Sequence, residues 1–262
     1  MSAPTRADRT RQVAVTLAEV FCVLGTLVGT GVLGTRVAES SGGALAADAT
    51  LLAPAGPAFS IWSVIYAGLA AYAVWQWLPS VATSERARAT GWPAALSMVL
   101  NAGWLLVTQQ GWVWISVGVI LALAVTLALL VARLTRLPAS GRTDRVLLDG
   151  TFGLYLGWVT AASFANVAAA LATTGLQVSR ATAELAAAGG LVLAAAVGIL
   201  LARELGARWP VAAALVWALG WIVVGRTTDR PESAVTAAAA AAAAVLVVVA
   251  TARLRSRQVP TR

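Results

Sequence analysis

Residues Thr151–Thr173 read TFGLYLGWVTAASFANVAAALAT, a run without one charged side chain. A helix needs roughly 20 mostly apolar residues to cross the hydrocarbon layer, because every backbone N–H and C=O must find its partner inside the segment. This stretch is long enough, and its polar residues recur at helical spacing. Thr151, Tyr155, Trp158, Ala162 and Asn166 share one face, while Leu154, Leu156, Val159 and Phe164 point elsewhere. In hydrocarbon such a polar face turns inward, toward other helices.

The same reading extends in both directions. Apolar runs bounded by Arg, Pro or Gly predict eight helices: Val13 to Gly34, Phe59 to Leu78, Trp92 to Gln110, Trp112 to Val131, Val146 to Thr173, Leu185 to Ala202, Trp209 to Gly225 and Ala234 to Ala250. Only Gln109, Gln110 and Gly111 separate the third from the fourth, so one long kinked helix is the alternative there. The chain of 262 residues is 59% apolar and 11% charged, a balance that a water-soluble domain carries only by exposing large apolar patches. The fold class is therefore an all-α integral membrane protein of about eight transmembrane helices, with the lipid bilayer as its first partner.

All 19 basic residues are Arg, and the formal net charge is +8. Clustered on a soluble face they would suggest nucleic acid. They sit instead in short connections between apolar runs, so no nucleic-acid partner is expected. An even number of spans puts both termini on one side. Arg36, Arg180, Arg226 and Arg230 fall opposite the termini, and the other fifteen fall with them. That bias places both termini in the cytoplasm, and a bacterial cytoplasmic membrane is the expected location. The first run follows basic residues and Ala44-Leu45-Ala46 resembles a signal cleavage site, but the run exceeds a signal core and the site lies well beyond it. A retained helix is the better reading. Cys22 has no partner for a disulfide, and the absence of His removes the usual neutral-pH base and the usual haem or zinc ligand.

Of eleven Trp, seven (Trp75, Trp77, Trp92, Trp112, Trp114, Trp209, Trp221) lie near helix ends, where an aromatic belt meets the headgroups. Trp62, Trp104, Trp158 and Trp217 lie further in and need a helix, a cavity or a ligand beside them. Two more mixed stripes resemble the one on the fifth run: Phe59, Trp62 and Tyr66 on the second, and Ser97, Asn101, Trp104 and Thr108 on the third. Two readings stand. The amides and hydroxyls glue helices together, or the three faces converge on an aromatic cavity that holds a flat apolar ligand. Pro54, Gly56 and Pro57 shape a turn before the second helix, either as a simple helix start or as a lid over that cavity. Gly25 with Gly29, and Gly153 with Gly157, permit close helix approach. The run Ala237 to Ala244 is low in complexity and high in helix propensity.

Three segments resemble the translocator protein family, also called tryptophan-rich sensory proteins (TspO/MBR). They are Ala53-Pro54-Ala55-Gly56-Pro57-Ala58-Phe59-Ser60-Ile61-Trp62 with Tyr66, then Leu100-Asn101-Ala102-Gly103-Trp104, then Tyr155-Leu156-Gly157-Trp158-Val159-Thr160 with Ala162 and Asn166. Thr108 and Gln109 stand where the family commonly carries an aromatic pair, and Leu154 stands where it commonly carries proline. The resemblance implies a tail at 1–12, a five-helix bundle at 13–173, a three-helix membrane extension at 174–253 and a basic tail at 254–262. It implies a receptor-like membrane protein that binds porphyrin, tetrapyrrole or a similar flat apolar molecule under the first loop. By matching position the ligand site would use Trp62, Tyr66, Asn101, Trp104, Tyr155, Trp158 and Asn166, with Pro54, Gly56 and Pro57 as lid.

No cofactor is obligatory in this reading. A porphyrin would be a non-covalent ligand held by stacking and shape, since no His is present and Met98 or Cys22 would be unusual metal ligands. A homodimer is the expectation for a protein partner. The alternative function is a small-molecule transporter or permease without proton coupling, because only Glu19 lies clearly inside a helix and Asp149 lies near the start of another. No nucleophile–base pair, metal cluster or phosphate loop appears, so the chain is not expected to be an enzyme; light-dependent loss of porphyrin is the activity that would revise this.

Overall fold

The computed structural model describes residues 3–257. Among them are eight helices long and apolar enough to cross a membrane. We label their α-helical parts α1 (Arg6–Gly29), α2 (Ile61–Trp75), α3 (Glu85–Gln109), α4 (Val113–Arg136), α5 (Thr151–Ala172), α6 (Arg180–Glu204), α7 (Trp209–Thr228) and α8 (Ala234–Ser256), the second and fifth spans beginning earlier, at Gly56 and Arg142. A 3-10 turn at Gly56–Ser60 leads into α2, and a short turn at Arg142–Asp144 with a π-helical turn at Arg145–Gly150 leads into α5. The third and fourth spans are separate helices, broken where Gly111 takes a positive φ.

Local sequence explains where these helices start. Thr5 and Asp8 form a reciprocal capping box at α1. Ser84, Ser179 and Ser233 accept from the backbone three residues on at α3, α6 and α8. Pro210 sits in the first turn of α7, where its missing N–H costs nothing. Pro93 lies inside α3, where it deprives the Ala89 carbonyl of its donor. Arg133 of α4 supplies the replacement, its Nη1 donating to Ala89 O at 2.7 Å.

Several helix boundaries differ from expectation; α3, for one, begins at Glu85 rather than Trp92. α1 ends at Gly29 rather than Gly34, because Gly31 adopts φ +82° and the chain folds back, Leu33 N donating to Leu27 O. The helix also begins at Arg6, inside the segment read as a tail, and Asp8, Arg11 and Gln12 are buried. At the other end α8 continues to Ser256 through Arg253 and Arg255. Of the two tails, residues 1–2 and 258–262 lie outside the described residues.

α3 packs between α1 and α4, and α5 packs against α4 and α7. Gly25 lies against Ala102, where a Cβ would approach the Ala102 Cβ to 2.9 Å. Gly157 is tighter: a Cβ there would stand 2.1 Å from the Val211 carbonyl oxygen. Both glycine pairs are therefore sites of close helix approach. Two apolar cores result, one built on α1 to α5 with α7, the other on α6, α7 and α8 with Leu52 of the first loop. Residues of α5 and α7 enter both, so the last three helices are part of one bundle.

The end that carries both termini is tied by buried charge. Arg86 reaches Asp144 at 2.8 Å and Asp149 at 2.7 Å, and Arg208, just before α7, also pairs with Asp149. Asp8 pairs with Arg11 at 3.0 Å and Arg88 at 2.8 Å, while Gln12 and Gln76 exchange hydrogen bonds with each other's backbone carbonyls. Of the belt residues, Trp77, Trp92, Trp112, Trp114 and Trp209 are exposed, whereas Trp75 and Trp221 pack on the first core.

Candidate functional site

The aromatic stripes of α2 and α5 meet. Trp62 stacks on Tyr66, with centroids 5.0 Å apart and planes 17° apart. It also meets Tyr155 edge-on at 5.7 Å and Trp158 at 6.2 Å. Phe59 closes the group against Trp158 at 5.5 Å. Gly68 allows the two helices this approach, since a Cβ there would stand 2.4 Å from Thr151 Oγ1. Edge-to-face pairs of this kind are worth about 0.5–1.5 kcal/mol each beyond the area they bury.

The polar residues of the stripes hold the rings in place. Asn101 donates through Nδ2 to the Tyr66 hydroxyl at 3.0 Å, and the Cys22 sulfur accepts from the same atom at 3.5 Å. Tyr155 donates its hydroxyl proton to the Ser97 carbonyl at 3.2 Å. Trp104 donates its indole N–H to Asn166 Oδ1 at 2.7 Å, and Asn166 Nδ2 donates to Ser116 Oγ of α4 at 2.9 Å. Each amide therefore joins different helices, as the glue reading requires, and also fixes a ring that faces the site.

The seven residues fall into two groups joined by Trp158. Trp62, Tyr66, Asn101 and Tyr155 are linked through ring contacts of Trp62 and the Asn101–Tyr66 hydrogen bond, and do not line the cavity. Trp104, Trp158 and Asn166 line a small cavity beneath the first loop, together with Phe59, Pro54 and Ala162. That cavity measures about 60 Å³, whereas small-molecule pockets run to roughly 300–1,000 Å³. The converging rings thus fill most of the space that the sequence suggests they enclose.

Of the three residues read as a lid, one faces the cavity. Pro54 is buried and lines the cavity, whereas Gly56 and Pro57 are exposed in the turn that starts α2. What holds the loop down comes from α7. Trp217 donates its indole N–H to the Ala58 carbonyl at 2.9 Å, and the Ala55 amide donates to the Trp221 carbonyl at 3.1 Å. Arg226 is 1% exposed and donates to three backbone carbonyls: Thr50 at 3.2 Å, Ala47 at 3.1 Å and Pro231 at 2.9 Å. Ala218 and Ile222 of α7 also line the cavity. Sequence reasoning leaves Trp217 as an interior indole and Arg226 as one outer arginine among four. The only sequence signal for their role is their spacing of four and five residues from Trp221 on one helix. Phe59, Cys22 and Ser116 are the other additions, of which only Phe59 lies on a stripe visible in the sequence.

Among the described residues no three His, Cys, Asp or Glu side chains gather as metal ligands. No curated protein and no solved structure matches the chain. A family model described as TSPO-like protein matches residues 15–252. The match runs through α6, α7 and most of α8, beyond the five-helix portion on which the sequence resemblance rests. A helical bundle with its aromatic layer under the first loop, matched over nearly its whole length, places this chain in the TSPO-like protein family.

Proposed function

We propose that this membrane protein is a receptor or sensor for a flat apolar ligand of the porphyrin or tetrapyrrole kind, bound at the aromatic layer beneath the first loop. The observation that carries the reading is the mutual ring contact of Trp62, Tyr66, Tyr155 and Trp158 under a loop pinned to α7. Stacking on such rings orients a planar ligand, and Asn166, which lines the cavity, frees its carbonyl oxygen for the ligand's polar edge once the Trp104 indole turns away. The cavity of about 60 Å³ is too small for such a ligand as it stands. Entry therefore requires the loop to lift and Trp104 or Trp158 to turn. The absence of His from the chain leaves shape and stacking to hold the ligand, with no obligatory cofactor. The same proposal places the protein in a bacterial cytoplasmic membrane with both termini in the cytoplasm, supported by the arginine bias.

The test is a titration of the purified protein with protoporphyrin, followed by quenching of Trp emission. Trp158→Phe and Trp104→Phe should each weaken binding at least several-fold. Absence of binding, or equal affinity in the wild type and both variants, sinks the assignment.

One observation favours a second reading, a transporter. Glu19 of α1 is 6% exposed, and neither carboxyl oxygen has a hydrogen-bond partner. Ionisable groups inside membranes commonly mark ion or substrate paths. Porphyrin flux into protein-containing liposomes, compared with empty vesicles and with Glu19→Gln, separates the two. A receptor retains ligand, whereas a transporter moves it across at a rate that the variant changes.

A further inference from the structure

A second space, far larger than the cavity under the first loop, lies elsewhere. A groove of about 1490 Å³ runs between α5 and α6, with Leu121 and Val125 of α4 as its floor. α6 touches α5 along little of its length, and its wall is built of small residues such as Ala186, Gly189 and Gly190. A Cβ on Gly189 would meet nothing within 4 Å. On α5 the lining extends from Leu156 to Ala172, about 24 Å at 1.5 Å per residue. The hydroxyls of Thr160 and Ser163 are bonded to carbonyls of their own helix, so the wall offers little but hydrocarbon.

Charge is confined to the rim at the first-loop end. Arg180, Glu184, Arg230 and Glu232 are the charged lining residues, two of each sign. Arg180 pairs with Glu184 at 3.2 Å and donates to the Glu232 carbonyl at 3.0 Å. Arg230 and the Glu232 carboxylate, on either side of Pro231, enter no ion pair among the described residues.

We infer that this groove is a specific site for one phospholipid with a zwitterionic, amine-bearing headgroup. Two chains of about 16–18 carbons, each carbon assigned the ~30 Å³ that a water occupies in the liquid, fill on the order of 1,000 Å³. The glycerol backbone takes part of the remainder. Extended chains of that length also match the depth of the groove. At the rim the Arg230 guanidinium meets the phosphate and the Glu232 carboxylate meets the ammonium. An anionic head would satisfy the arginine and leave the carboxylate facing like charge. A quaternary ammonium would lack the N–H donors that a carboxylate accepts best.

The full chain is reconstituted in vesicles of equal phosphatidylethanolamine, phosphatidylglycerol and phosphatidylcholine, extracted in mild detergent, and its retained lipid identified by native mass spectrometry. About one phosphatidylethanolamine should stay per chain, enriched at least five-fold over the other two. Gly189→Phe, whose side chain enters open space, should lower retention of all three at least five-fold. Arg230→Gln with Glu232→Gln, on the exposed rim, should keep a bound lipid and lose the headgroup preference. The inference is overturned by lipid retained in the input ratio, by preference for phosphatidylglycerol, or by retention indifferent to Gly189→Phe. It is equally overturned by a stable dimer that binds lipid only on dissociation, since a second copy would then occupy the groove.

Discussion

Replacing Arg226 by Met should loosen the first loop without dismantling the bundle. The guanidinium donates to Thr50 O and Ala47 O of that loop, and hydrogen bonds from charged donors contribute about 1.5–3 kcal/mol each. The two together give roughly 3–6 kcal/mol gross. Against this stands the desolvation of a guanidinium that is 1% exposed and forms no ion pair among the described residues, which offsets about half. The remainder, about 1.5–3 kcal/mol, corresponds to a roughly 10- to 150-fold increase in the open-loop population. Hydrogen exchange of amides in 44–55, measured in nanodiscs, should accelerate by that factor, while amides in the middle of α5 keep their protection. Protoporphyrin association should accelerate in parallel. Unchanged exchange at 44–55 would refute the reasoning, since the loop would then be held by Trp217 and apolar contacts alone. Acceleration throughout the bundle would also refute it, because Arg226 would then be a general stabiliser.

Two further outcomes follow from the packing. Gly157→Leu drives a side chain into the Val211 carbonyl and the Ala214 Cβ, so it should destabilise by about 3 kcal/mol or more, seen as a lower melting temperature and loss of the monodisperse peak in size exclusion; a wild-type melting curve would contradict this crossing of α5 and α7. Arg133→Ala removes the donor of an exposed bond to Ala89 O beside Pro93 and should cost about 0.5–1.5 kcal/mol. Pro93→Ala in the same chain supplies the missing N–H and should recover most of that loss in thermal melts, whereas a double variant no more stable than Arg133→Ala would show that the bond contributes nothing.

The number of spans was legible because hydropathy over some twenty residues suffices to count them, whatever packs against what. The ring layer was legible for a related reason: Trp62 and Tyr66, or Tyr155 and Trp158, lie one turn apart and must share a face. What spacing cannot convey is how tightly two such faces close. Trp62 lying flat on Tyr66, with its edge toward Trp158, leaves about 60 Å³ where the family resemblance implies a ligand pocket. The end of α1 was misplaced because Val32 and Leu33 continue the apolar run, while the break resides in the φ of Gly31. The restraint of the first loop is invisible in the sequence because it depends on which helix lies beside that loop. Arg226 sits more than 170 positions from the carbonyls of Ala47 and Thr50, and no local pattern links residues that far apart.

The crossing of α5 by α7 limits how the chain can be shortened. Cut after residue 173, the polypeptide would turn Gly153 and Gly157 toward lipid tails, deprive Asp149 of Arg208, and leave the segment around Ala55 without the carbonyl that receives its amide. A minimal five-span version therefore needs larger residues at the two glycines and a new anchor for the first loop. Any scheme that grafts a reporter should spare the 204–209 connection and use the exposed 173–178 turn instead.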